Sequence, residues 1–294
     1  MKVVAIINPI SGAGADSTVA AHRAALLTEA LRRRGLTAPI HLTQYAGHAH
    51  ALARAAASDA ADLVIVWGGD GTVNEAGAAL LQSRCALGVI PAGSGNGLAA
   101  ALGSPREPRA AIAAALDGRV RAIDAGVLDG RPFFNIAGIG VDARIARLFN
   151  ARAKGTRGRW PYIRIGIREG WRYCCQEYTV VLDGEAVSVR ALLIAFANGG
   201  EYGNGVRLSA RARLDDGLLD ALVVEDRPVA TRFWHARHLA AGTADRAPRV
   251  RARQIRHAVV SSAEPIEYHV DGEPGTASGA VEVTVQAGAL LVRG

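Results

Sequence analysis

The stretch Asp62–Glu75, DLVIVWGGDGTVNE, constrains this chain more than any other. Leu63 to Val66 is an apolar run rich in β-branched residues, the pattern of a strand buried on both faces of a parallel sheet. Gly68, Gly69 and Gly71 then surround Asp70. Thr72 and Glu75 stand at capping-box spacing, which predicts a helix starting at Thr72. Strand, glycine turn and helix N-terminus gather unpaired backbone N–H groups at the positive end of the helix dipole, where phosphate is attracted. Glycine lets phosphate reach the backbone because no Cβ intervenes. A glycine turn taken singly is more often a plain strand-to-helix connection. The acid among these glycines adds a ligand for a divalent metal carried by a nucleotide.

The flanking sequence repeats the pattern. Strands are expected at Val3–Ile7, Pro39–Leu42 and Ala86–Ile90, and helices at Asp16–Arg34, His48–Ser58, from Gly97 to Leu102, and at Pro108–Leu116. Alternating strand and helix predicts a doubly wound, mainly parallel sheet with helices on both faces. Ligands bind such sheets beyond the carboxyl ends of the strands. Three of those ends carry glycine-rich loops, at Asn8–Gly14, Gly68–Gly71 and Pro91–Gly97, so all three are expected to converge.

After Asp124 the texture changes. Arg131–Ala137, Tyr178–Leu182, Val187–Ala197, Leu218–Val224, Ile255–Ser262, Ile266–Val270 and Val281–Val285 read as strands, with turns such as Asp129–Gly130 and Asp183–Gly184 between them. The pattern predicts an antiparallel β-sandwich domain, with domains of 1–125 and 126–294. Helices are expected at Gly158–Tyr173 and Pro228–Leu239. In the first, Trp160, Ile163, Ile167 and Trp171 share one stripe, and Arg164, Arg168 and Arg172 recur at steps of four. Such a helix either packs its apolar stripe on its own domain or lies in an anionic membrane interface.

Charge narrows the chemistry. The chain of 294 residues is half hydrophobic and carries a formal charge of +7, which favours an anionic partner. Lys2 and Lys154 are the only lysines, and neither sits in a Walker-type or protein-kinase context. Phosphoryl transfer here must therefore neutralise charge with metal, arginine and backbone amides. Cys85, Cys174 and Cys175 form neither a disulfide framework nor a zinc pattern, as in a reducing cytosol. No run is long and apolar enough for a membrane span or a signal peptide.

Three motifs in order, NPISG at Asn8–Gly12, GGDGTVNE at Gly68–Glu75 and PAGSGNGLA at Pro91–Ala99, resemble the catalytic domain of the diacylglycerol kinase family, which includes soluble bacterial lipid kinases and the sphingosine and ceramide kinases. IDAG at Ile123–Gly126, LDDGLLD at Leu214–Asp220 and VDGEP at Val270–Pro274 extend the resemblance over nearly the whole chain. It implies an ATP-dependent kinase of a lipid hydroxyl, with Mg²⁺ accompanying ATP. By matching positions, Asn8, Pro9, Ser11 and Gly12 line the nucleotide site, and Gly68, Gly69, Asp70, Gly71, Thr72, Val73 and Asn74 cradle the phosphates. Thr43 and Ser94 add hydroxyl contacts. Ser94 stands where the family usually has threonine, and Gly97 where many members have aspartate.

The resemblance also names the later acids. An alcohol attacking a γ-phosphate needs its proton accepted and its position fixed. Glu273 is the first choice of base, Asp271 a base or orienting group, and Asp70 the rival by analogy with sphingosine kinases. Asp271–Gly272 is equally a hairpin dipeptide needing no catalysis. Asp216 is implied to bind a structural Mg²⁺ with main-chain oxygens of Arg213 and Leu218, and Asp215 and Asp124 to link it to the site through waters. His48 reads as a surface or capping residue. The expected acceptor is a diacylglycerol-like alcohol. A sphingoid or ceramide kinase shares every motif, and a NAD-kinase-like enzyme or a silent nucleotide-binding regulator lies further away. The expected setting is cytoplasmic, with peripheral contact at an anionic inner membrane face. No nucleic-acid partner is expected, and oligomerisation is open.

Overall fold

The structure is a computed structural model. It describes all residues except 13–16, 152–158, 204–205, 210, 229–237 and 239–248. The helix expected at Pro228–Leu239 falls almost wholly outside the described residues. So do the side chains of Trp160, Ile163 and Ile167.

The chain divides into two compact units, Met1–Ile123 with Gly288–Gly294, and Asp124–Ala287. The first runs β1 (Val3–Ile7), α1 (Ser17–Arg32), β2 (Ile40–Leu42), α2 (His48–Ser58), β3 (Leu63–Gly68), α3 (Asp70–Leu80), β4 (Ala86–Pro91), α4 (Gly97–Ala101) and α5 (Pro108–Asp117). β1 pairs in parallel with β2 on one side and β3 on the other, and β3 with β4. The order β2-β1-β3-β4 places the reversal of winding beside β1 and β3, at whose carboxyl ends doubly wound folds bind ligands. β1 and β3 are buried at every position. Leu27, Ile65, Trp67, Ile90, Ile112 and Leu116 help build the core between sheet and helices.

Local chemistry sets the ends of the helices. α1 stops in a Schellman motif: Leu36 N–H bonds to Leu31 O, Gly35 N–H bonds to Arg32 O, and Gly35 takes φ +66°. Glu107 caps α5 by accepting from Arg109 and Ala110 N–H. The capping box expected at Thr72 and Glu75 does not form. α3 already begins at Asp70, and Glu75 instead accepts from Gly47 and Ala49 N–H at 2.8 and 3.2 Å, capping α2. A carboxylate one turn into α3 reaches the bare N-terminus of its neighbour, whose own N-cap is a glycine without a side-chain acceptor.

From the boundary onward come β5 (Val120–Leu128), β6 (Arg131–Phe133), β7 (Ile136–Gly140), α6 (Val141–Asn150), α7 (Arg159–Arg172), β8 (Gln176–Leu182) and β9 (Glu185–Ala197). They are followed by β10 (Glu201–Gly203), β11 (Val206–Arg207), β12 (Leu219–Glu225), β13 (Val250–Ile255), β14 (His257–Ser261), β15 (Ile266–Val270), β16 (Glu273–Ala277) and β17 (Ala280–Arg293). Pairing in the second unit is antiparallel: β9 meets β7, β8 and β12, and β15 meets β7 and β16. From Ala191 onward β9 is apolar on both faces. Ile194 and Phe196 join one core with Tyr178, Val260 and Val283, while Leu193 and Ala195 join another with Leu208 and Leu222. Three Asp-Gly pairs, 129–130, 183–184 and 271–272, take positive φ at both residues. They close two-residue hairpins, as Leu128↔Arg131, Leu182↔Glu185 and Val270↔Glu273 pairings show.

Several elements depart from expectation. The single strand expected at Arg131–Ala137 is two, and the amphipathic helix α6 follows, which strand-like neighbours concealed. β17 is 14 residues long rather than five. Its first part pairs with β14 in the second unit, and Val292 and Arg293 pair with β4 in the first. The C-terminal seven residues therefore belong to the first unit, with Leu290 and Val292 fully buried.

Candidate functional site

The first unit brings its three glycine loops together. A Cβ on Gly12 would stand 2.8 Å from Ala92 O, and one on Gly93 would stand 2.7 Å from the Cα of Gly69. The loops thus touch through bare backbone, the spacing glycine permits and no other residue does. Side chains lock the contact. Asn8 donates from Nδ2 to Thr72 Oγ1 at 2.8 Å and accepts from Ile10 N–H. Asp70 accepts from Asn96 and Gly97 N–H at 2.8 and 2.7 Å, one on each oxygen, and so ties the second loop to the third. Asn96 adopts φ +55° and closes its own loop, accepting from Gly93 N–H and donating to Gly93 O.

The expected nucleotide residues divide by exposure. Asn8, Pro9, Gly71 and Asn74 are half-buried and Ser94 and Gly12 exposed, whereas Ser11 and Thr72 are buried at 9 % and 8 %. Gly68 and Gly69 form the turn itself. Val73 points into the core and gives its N–H to Gly69 O, so it packs rather than faces a ligand. Thr43 follows β2, and its N–H bonds to Ile7 O at the same sheet edge. His48 accepts from Gln44 N–H through Nδ1 and stacks on Tyr45 at 4.5 Å, which holds the loop entering α2.

Sequence reasoning missed Arg23. From α1 it donates to Asn8 O at 3.1 Å and Ser11 O at 2.9 Å, with its guanidinium 5.7 Å from the Trp67 ring centroid. Burial lowers its pKa from the ordinary value. It is the cation that clamps the first loop in a chain almost without lysine. Nothing near position 23 marks it, because its partners are main-chain oxygens of the NPISG stretch, 15 and 12 residues back, and a carbonyl has no side-chain signature.

The second unit holds the later acids. Asp271, at φ +47°, accepts from three amides: Phe134, Asn135 and Ile136 N–H at 2.9, 3.0 and 3.0 Å. Those three bonds tie the carboxylate to the turn between β6 and β7. Glu273, two residues on at the start of β16, is exposed. Asp124 is 2 % exposed and accepts from Gly217 N–H at 2.7 Å. Asp215 is exposed and meets Arg213 Nε at 3.4 Å.

Asp216 accepts from Leu218 N–H at 3.1 Å and from Gln254 Nε2 at 3.2 Å, leaving each oxygen a further lone pair. One carboxylate with main-chain carbonyls is a hard-oxygen donor set, which fits Mg²⁺ completed by water. Among the described residues no cluster of three His, Cys, Asp or Glu exists to hold a metal alone.

The family model for the diacylglycerol kinase catalytic domain matches residues 2–128, and that for the YegS C-terminal NAD kinase beta sandwich-like domain matches 135–293. A diacylglycerol kinase of Bacillus subtilis is 30 % identical over 92 % of this chain and 89 % of its own length. The chain belongs to the diacylglycerol kinase catalytic-domain family. This family member is also 35 % identical to a diacylglycerol kinase of Mycobacterium tuberculosis, over 76 % of this chain and 73 % of that one. It is 38 % identical to a probable lipid kinase YegS-like of Chromohalobacter salexigens, over 66 % of this chain and 64 % of that relative, just under two thirds of its length. In fold, the family member matches a putative diacylglycerol kinase from Bacillus anthracis with a TM-score of 0.82 at 23 % identity, covering 99 % of this chain and 94 % of that one.

Proposed function

We propose that this lipid-kinase family member transfers the γ-phosphate of ATP to the hydroxyl of a diacylglycerol-like lipid. The observation that carries the reading is the closure of three glycine loops by Asn8, Asp70 and Asn96, which brings them together with the N-terminus of α3, uncapped by any side chain of its N-cap Gly69, at the carboxyl ends of the strands. In this reading Asn8, Ser11, Gly12 and the Gly68–Gly71 turn hold the nucleotide, with Thr43 and Ser94 supplying hydroxyls. Arg23 keeps the first loop closed. Asp70 holds the second and third loops in register and stands where it can meet the metal of the nucleotide.

Glu273 takes the proton of the acceptor hydroxyl. Asp70 and Asp271 have their oxygens engaged by backbone N–H donors, whereas Glu273 is exposed. Mg²⁺, when bound, supplies neutralisation of the phosphate charge as it shifts to the leaving oxygen. Asp216 with the carbonyls of Arg213 and Leu218 would hold a second Mg²⁺, and Asp124 and Asp215 would orient its surroundings.

The lipid must be met at a bilayer. Arg164, Arg168, Arg172 and the 58 % exposed Trp171 support peripheral contact with an anionic cytoplasmic face. Among the described residues no helix is long and apolar enough to cross it. The test is ATP turnover against a lipid panel with mass detection of product. Phosphorylated diacylglycerol is expected; phosphate transfer to NAD or to sphingoid bases alone would overturn the acceptor assignment.

A further inference from the structure

We propose that the buried His269–Asp142 pair positions the hairpin carrying Glu273, acting through Nδ1 of His269; this rests on the reading of Glu273 as the base. His269 on β15 and Asp142 in the first turn of α6 are 3 % and 6 % exposed. His269 Nε2 lies 3.1 Å from Asp142 Oδ2, and Nδ1 receives Gly272 N–H at 3.2 Å. Nδ1 accepts from Gly272 and so carries no proton, which makes Nε2–H the donor to Asp142.

Four polar groups of the turn are held, the N–H and carboxylate of Asp271 and the N–H and C=O of Gly272. At the far end of α6, Asn150 Nδ2 donates to Gly272 O at 2.9 Å. Asp271 N–H bonds to Ile136 O, and its carboxylate takes three amides of the preceding strand region. One helix thus holds Gly272 by its N–H through Asp142 and His269, and by its C=O through Asn150. Glu273 follows directly and inherits that orientation. Room for the pair comes from Gly138: a Cβ there would collide with Asp142 Oδ2 and stand 2.8 Å from His269 Nε2. A buried polar pair of this kind is costlier than an apolar pair of equal volume, so its return is geometric. His269, Asp142 and Asn150 are positioning residues.

The test compares two replacements in the full chain. Asparagine at 269 presents Oδ1 where Nδ1 stood and accepts from Gly272. Glutamine reaches the Nε2 position, donates to Asp142, and leaves Gly272 N–H unanswered. His269→Asn is expected to keep kcat within about threefold, and His269→Gln to lose about tenfold or more at unchanged KM for ATP. Amide hydrogen exchange at residues 272–273 should quicken in the glutamine variant only. Equal behaviour of the two variants in both readouts overturns the proposal. Should His269→Gln not fold, Asn150→Ala is read instead, with faster exchange at 272–273 and reduced kcat expected; wild-type exchange there also overturns it. Glu273→Gln runs alongside: full turnover in that variant removes the base assignment, while the exchange data still judge the positioning role.

Discussion

Three carboxylates of this protein share a motif-level resemblance to a base, and their surroundings separate them. Asp271 answers three amides and Asp70 two, whereas Glu273 is exposed. We expect Glu273→Gln to lower kcat by about 100-fold or more with little change in KM for ATP, since general-base catalysis contributes about 10²–10⁴. A matching rise in KM with kcat intact would assign Glu273 to nucleotide binding. Asp70→Ala should abolish turnover in a folded protein, because two loops lose their tie and Asn96 and Gly97 N–H lose their acceptor. Retained turnover removes Asp70 from the site. Gly93→Ala belongs here too: a methyl 2.7 Å from the Cα of Gly69 forces the loops apart, and ATP affinity should fall with it.

At the scale of elements, caps and faces carry the argument. Glu75 serves α2, not α3, so Glu75→Ala should cost about 1 kcal/mol, as loss of a cap does. Denaturant unfolding of the variant measures it, and an unchanged midpoint means the cap is idle. In α7, Ile165 and Glu169 are buried while Arg164, Arg168, Trp171 and Arg172 are exposed. Trp171 therefore lies off the side of the helix that buries Ile165 and Glu169, while the side chains of the other stripe residues, Trp160, Ile163 and Ile167, lie outside the described residues. Trp171→Ala with Arg164→Glu should weaken co-sedimentation with anionic vesicles while leaving turnover of a dispersed short-chain lipid intact. Equal vesicle binding removes this face from the membrane contact.

At the scale of the molecule, the two units are joined in the chain twice, once near Asp124 and again within β17. Ending the chain at Ala287 removes Leu290 and Val292, both fully buried in the first unit. Burial of two such side chains stabilises by about 3–6 kcal/mol, a large part of the usual margin. The truncated protein should lose protease resistance in residues 1–123; full resistance contradicts the assignment of the tail. Alkali should also weaken the fold. Burial raises Cys85 from 9.0 to about 11 and Tyr178 from 10.0 to about 12. A folded-state pKa above the unfolded one gives stability that is complete below the unfolded pKa and fades as pH climbs through the folded one. The unfolding midpoint should hold up to about pH 9 and fall between about pH 9 and 12, and a flat profile across that window would contradict the burial of both groups.

The sequence by itself determined the alternating αβ unit, the three loops, the Asp-Gly turns and the family. Each is a local matter: apolar period, glycine where backbone must bend or touch, turn dipeptides with positive φ. Only the tertiary structure decided that Arg23 clamps the first loop, that Glu75 caps a different helix, that the Asp271 carboxylate takes three amides, and that the last seven residues complete the first unit. Those outcomes depend on partners between 12 residues away along the chain (Arg23 to Ser11) and 205 (Val292 to Leu87), mostly main-chain atoms without a side-chain signature, and no window of sequence records which bare N–H or C=O a fold will bring within reach.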